Sequence, residues 1–401
     1  MLACAACAGP EPHVPWSGTI VDSAGVRVVV SPEEGLWSSG EAWVAVEELR
    51  IGNFGGDPRY QFAQVGSISL TEAGGLLVMD RQTRELREFT EDGEFVRAIG
   101  SPGEGPGEFG RGVADVFAGA GDTLLVPDVR NRRIQRFAPD GTFVDAASLD
   151  LAAYRALRFG WSAGARQGVA QVRPAVVLRE GSDSSVVDEL RRVESDGSLG
   201  AVLLELPAGG LLGAQGSLRY FTPEPVWGLT DSLTVLFGVN DRYRISRYDR
   251  SGTLRSVVAR DREPRPLTDR DLRAFYAYLD RAWLDAGVPP SQLSANRARV
   301  SFADNLPAFS AVHEGPDGTL WVQPVQAPGA LSDEAIERYN FIEDFGSRAW
   351  DVYDREGHFL GVVEMPPRVQ PRLFSGGVIY AVARDELDVQ YVVRLRIVRP
   401  E

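Results

Sequence analysis

Few side chains in this sequence could act as nucleophiles or metal ligands, and their spacing suits neither role. The histidines are His13, His313 and His358, and the cysteines are Cys4 and Cys7. A zinc centre needs several converging imidazoles or thiolates. His313-Glu314 lacks the second histidine that would make an H-E-x-x-H helix. Both cysteines fall within the first seven residues, so the chain from Ala8 onward has neither a disulfide nor thiol chemistry. Gly160-Trp161-Ser162-Ala163-Gly164 has the G-x-S-x-G spacing, but no helical pattern follows it, as the strand-to-helix elbow of a serine nucleophile requires. No catalytic set is expected.

The carboxylates Asp80 and Asp128 each end an apolar run and precede Arg84 or Asn131-Arg132. Such a residue could hold a metal, or it could accept hydrogen bonds from the backbone of the turn it opens. Their recurrence at one offset favours the turn, because a catalytic group is needed once and a fold-building group in every repeat. Gly103-Glu104-Gly105-Pro106-Gly107 invites comparison with a phosphate cradle. It lacks the Gly-Lys-Ser/Thr ending and leads into a strand-like run rather than a helix, so no helix N-terminus awaits an anion. We expect a connection between repeats.

The elements around these residues repeat. Gly52 to Val96 superimposes on Gly100 to Val144 at a constant offset of 48. Val65 falls on Val113, Leu77-Val78 on Leu125-Val126, Asp80 on Asp128, and Asp92-Gly93 on Asp140-Gly141. Alternation such as Ile134-Gln135-Arg136-Phe137 has the period of a strand. Gly93, Gly141, Gly197, Gly252 and Gly357 each sit in a tight turn between strand-like runs, where a hairpin requires positive φ. A sixth such turn is Asp22-Ser23-Ala24-Gly25. The C-terminal unit, with strands at Val378 to Ala383 and Gln390 to Val398, lacks its last strand. An N-terminal strand that supplied it would close a ring and remove exposed edges. The fold class is all-β, a six-bladed β-propeller of four-stranded antiparallel blades. Residues 1–14 form a leader, and 15–401 form the propeller.

Two stretches break the period. Leu272, Phe275, Tyr276, Leu279, Ala282 and Trp283 have helical spacing, with Thr268 as N-cap, Asp271 three residues later, and Gly287 followed by Pro289-Pro290 at the end. A second, weaker stretch spans Leu331 to Phe345, capped by Ser332. Helical insertions are therefore predicted near 267–297 and 331–345, their aromatic stripe packing on the scaffold.

Composition narrows the partners. The net charge of −14 repels phosphate backbones and anionic lipid, and the arginines are scattered among acids. Nucleic acid is excluded as a partner. No apolar run of membrane-spanning length occurs.

The pattern G-x-x-G-x-G-P-G-E-F, followed by L-L-V-x-D-x-x-x-N-R-x-I-x-x-F-x-x-D-G, resembles a blade of the NHL type, and Asp317-Gly318-Thr319-Leu320-Trp321-Val322 echoes it. The whole chain resembles bacterial six-bladed propellers of the cell envelope, many of them lipoproteins. The resemblance implies that fold and an envelope location, and no particular activity. The opening MLACAACAGPEP fits that location as a truncated lipoprotein-type signal, making Cys4 and Cys7 lipidation candidates. An anchor of that kind would be the only tie to a membrane, and a monomer is expected.

The connections between blades should gather at one mouth of the channel and mix Arg59, Tyr60, Glu108, Arg111, Tyr220, Glu224, Trp227, Asp304 and Asn305. Aromatic anchors beside charges on loops suit recognition. In a competing reading, Tyr and Trp fill the space between blades. Lactonase-like six-bladed propellers hold calcium on channel-facing oxygens, and Glu108, Glu224, Asp304 and Asn305 are the hard ligands available here. The expected function is that of a ligand- or protein-binding propeller without a cofactor. The alternative is a calcium-dependent hydrolase or lactonase, and a third reading is a structural envelope component.

Overall fold

The computed structural model describes residues 16–38, 40–113, 115–150, 153–174, 187–208 and 218–400. Cys4, Cys7 and His13 lie outside them.

Six sheets are arranged in chain order, each an antiparallel four-strand unit. Blade 1 runs from Val65 to Ile99, blade 2 from Phe117 to Ser148, and blade 3 from Tyr154 to Pro207. Blade 4 spans Pro225 to Arg260, blade 5 Phe309 to Glu364, and blade 6 starts at Val369. The 48-residue offset holds strand for strand, Leu76–Asp80 answering to Leu124–Asp128 and Glu85–Phe89 to Arg133–Phe137. In blades 1 to 5 the turn carrying Gly93, Gly141, Gly197, Gly252 or Gly357 joins the third and fourth strands, and each of these glycines has positive φ.

Blade 6 takes its fourth strand from the N-terminal part of the chain, Val44–Ile51, which pairs antiparallel with Gln390–Val398. The closing strand is thus not part of the Asp22–Gly25 hairpin. That hairpin, Thr19–Ser23 with Val26–Ser31, widens blade 4 to six strands by lying parallel to Leu254–Arg260. Between the two, the backbone NH groups of Leu36 and Trp37 donate to Phe359 and Leu360 of blade 5. Residues 16–38 and 40–51 therefore run along the outer edges of blades 4, 5 and 6 in turn. Ser31 fastens this belt, its hydroxyl donating to the Gly357 carbonyl and accepting from the Phe359 amide.

Apolar clusters fill the gaps between neighbouring blades, as at Leu77, Phe109 and Val126 between blades 1 and 2. Each repeat completes its neighbour's core. Helix α1 (Asp269–Asp285) begins with the expected capping box of Thr268 and Asp271. It is followed by α2 (Leu293–Arg297), and α3 (Asp333–Arg338) is shorter than the stretch from Leu331 to Phe345. Phe275 and Leu279 of α1 are buried with Phe221, Leu306 and Tyr339, so the aromatic stripe is packing. An ion cluster links blades 4 and 5. The buried Asp351 carboxylate accepts from the Tyr243 hydroxyl at 2.6 Å and from Arg260 at 2.9 Å.

Candidate functional site: the central channel

The first strands of all six blades, with the residues leading into them, line one cavity of about 150 Å³. Every blade contributes: Ser67, Asp115, Arg158, Trp227, His313 and Arg372 mark the ring in order. Bulges aim some of these side chains. The register shifts between Ala156 and Arg158 in blade 3, and between Pro371 and Leu373 in blade 6. The extra residue of a bulge bends its strand and re-aims the neighbouring side chains.

Arg158 lies over the Trp227 ring, 4.6 Å from its centroid. The indole is buried and donates to Gln171 Oε1 at 2.7 Å, which fixes its plane. Gly160 makes room for it, since a Cβ there would come within 2.7 Å of the Trp227 ring. The Arg158 guanidinium is enclosed by protein yet open to the lumen, and among the described residues it makes no hydrogen bond or ion pair. Burial lowers its pKa, and Asp115 pulls the other way. A guanidinium remains charged regardless. The result is a cation open to the channel and, among the described residues, without a committed acceptor.

Asp115 faces Arg158 and Arg81, and burial pushes its carboxyl up to about 6 against their attraction. His313 stacks on Phe374 with ring centroids 4.6 Å apart and planes 13° from parallel. Burial, reinforced by Arg158, pulls its imidazole down to about 3, so it is neutral at physiological pH. Arg372 is lowered by burial and by the charge of Arg384. Charge is therefore divided along the channel. The half where the first strands begin holds Arg81, Arg158 and Arg372 around Asp115. Glu314 and Asp231 stand at the other end, committed to turn amides: Glu314 accepts from the Asp231 NH and Asp231 from the Gly164 NH.

Of the residues expected at the mouth, Trp227 alone lines the cavity. Arg59 pairs with Asp57 and lies over Phe95, and the Tyr60 hydroxyl accepts from the Phe95 amide, which places both against the outer strand of blade 1. Glu108 accepts from Gly105 within its own loop, and Arg111 is exposed. Tyr220 packs 4.7 Å from Phe275 in the helical cluster. The backbone NH of Glu224 donates to Asn240, and burial raises the Glu224 carboxyl. Asp304 and Asn305 are exposed, and Asn305 bridges to Pro266. Glu108, Glu224, Asp304 and Asn305 are not brought together. Among the described residues no three His, Cys, Asp or Glu side chains converge on a metal-sized site.

Asp80 accepts from the amides of Ala63, Gln64, Gln82 and Thr83, and Asp128 from Gly110 and the Asn131 side chain. Both are turn-builders, as their recurrence suggests. Sequence reasoning misses the lining residues Asp115, Arg158 and Arg372, though each is a charge set in or beside an apolar first strand.

A family model described as a 6-bladed beta-propeller, DUF5128, matches residues 59–159. The match covers blades 1 and 2 and part of the first strand of blade 3. A putative exported protein from Bacteroides fragilis shares the fold with a TM-score of 0.51 at 13% identity, over 93% of this chain and 100% of that one. A DUF4221 family member from Bacteroides vulgatus aligns with a TM-score of 0.49 at 9% identity, over 90% and 99%. A gluconolactonase from Xanthomonas campestris aligns with a TM-score of 0.42 at 13% identity, over 88% and 97%. At such identity the first likeness speaks to the fold alone: this chain is a six-bladed propeller. No curated protein sequence matches it. Among the described residues no helix is long and apolar enough to cross a membrane.

Proposed function

We propose that this propeller is a binding module of the bacterial cell envelope whose ligand enters the central channel. The observation that carries the reading is Arg158, a cation held on the Trp227 face inside the lumen and, among the described residues, without a hydrogen bond or ion pair. A guanidinium open to the lumen and set on an aromatic face, with its donors unused, is available to an anion. Retaining one at the centre of the ring fits a site that a ligand completes. The cavity, at about 150 Å³, is below the ~300–1,000 Å³ usual for drug-sized ligands. It suits a small molecule or the end group of a larger one.

The envelope location is supported by the likeness to a protein titled as exported. The test is a thermal-shift panel of anionic, neutral and cationic small molecules, run with and without a chelator, beside lactone and ester hydrolysis assays. A stabilising ligand that is not turned over, and whose effect Arg158→Met removes, supports the module. Calcium-dependent turnover of a lactone would replace it with the hydrolase reading.

A further inference from the structure

The cavity walls narrow the class of ligand. Next to Arg158 and Arg372 the lining is apolar and largely aromatic, with Phe159, Trp227, Leu373 and Phe374. The Arg158 guanidinium, open to the lumen, offers the planar fork that a carboxylate takes bidentately, and Arg372 adds a second positive charge to the same lining. The aromatic walls match a flat or branched hydrocarbon body. An apolar cavity of about this volume accepts a benzene-sized guest.

We propose that the channel binds a small monocarboxylate with an apolar body, its carboxylate on Arg158 and its body against the aromatic wall of Trp227 and Phe374. This rests on the reading of the channel as the binding site. Asp115 opposes an anion when ionised and limits the charge the site tolerates. A ligand carrying one negative charge meets Arg81, Arg158 and Arg372 against Asp115, a local excess of cations in a chain whose net charge is −14. Glu314 and Asp231, bound to turn amides at the far end, disfavour a second anionic group there. A dicarboxylate is accordingly excluded.

The experiment is calorimetric titration of the full chain with benzoate, with its neutral isostere benzamide, and with inorganic phosphate, on the wild type, Arg158→Met and Asp115→Asn. Melting curves establish that each variant folds. Benzoate is expected to bind, benzamide and phosphate at least tenfold more weakly. Arg158→Met should weaken benzoate tenfold or more, while Asp115→Asn preserves or tightens it. If phosphate binds best, the carboxylate class is wrong. If benzamide equals benzoate and Trp227→Phe weakens both, the channel remains the site and the charge preference falls. Benzoate binding unchanged in both Arg158→Met and Trp227→Phe would overturn the channel itself, and no benzoate binding at millimolar concentration overturns the inference.

Discussion

The Arg158 guanidinium lies 4.6 Å from the centroid of the Trp227 ring, although the two residues belong to neighbouring blades. The contact depends on a third position. Gly160 is two residues along the same strand as Arg158, and a Cβ there would press on the indole at 2.7 Å. Gly160→Ala should displace Trp227, destabilise the fold by about 1–3 kcal/mol as overpacking does, and weaken any channel ligand. Denaturant unfolding and titration of the same variant check both effects.

Asp115 makes binding depend on pH. Its carboxyl titrates near 6, so below that pH it is neutral and Arg158 faces an anion unopposed. Benzoate affinity should rise as pH falls from 7.5 toward about 5, where the ligand itself is still largely ionised. In Asp115→Asn the dependence should vanish. Because the folded pKa lies above that of the unfolded chain, folding stability is lost as pH rises through 6. The Asn variant should therefore melt higher than wild type at neutral pH.

His313 works in the opposite sense. Its imidazole is held neutral down to about 3, whereas an unfolded histidine takes up a proton near 6.5. Over that window the unfolded chain binds more protons, so acid draws the protein toward unfolding, by on the order of 5 kcal/mol at the limit. His313→Phe keeps the stack on Phe374 and removes the proton. Its acid-unfolding midpoint, followed by circular dichroism, should move to lower pH.

Asp351 holds two partners in a buried cluster, and removing it strands the Arg260 charge and the Tyr243 hydroxyl. Asp351→Ala should cost about 3–5 kcal/mol, the usual range for breaking a buried ion pair. Chemical denaturation measures it, and a loss below about 1 kcal/mol, the size of an exposed pair, would mean the cluster is not a joint between blades 4 and 5.

The fold could be read because a propeller repeats: one period, five glycine hairpins and an unfinished last blade suffice to count six units. The belt could not be read, since Thr19–Ser23 and Val44–Ile51 look equally suited to complete blade 6. Long-range pairing decides between them, and a local pattern carries no record of it. The site was less legible for a related reason. Loops with Arg59, Tyr60 and Asp304 draw attention by composition, while Asp115, Arg158 and Arg372 are single charges among apolar strand residues. A bulge turns Arg158 and Arg372 into the lumen, and nothing in residue type announces a bulge. Comparison across blades does leave one trace: Ser67 in blade 1 becomes Asp115 in blade 2 at the same 48-residue offset.

The structure of the protein crystallised with benzoate tests the central claim most directly. The account predicts the carboxylate on the Arg158 guanidinium, inside the ring and beside Trp227. Benzoate seated among the outer loops near Arg59 and Tyr60, with the channel holding only water, would contradict it.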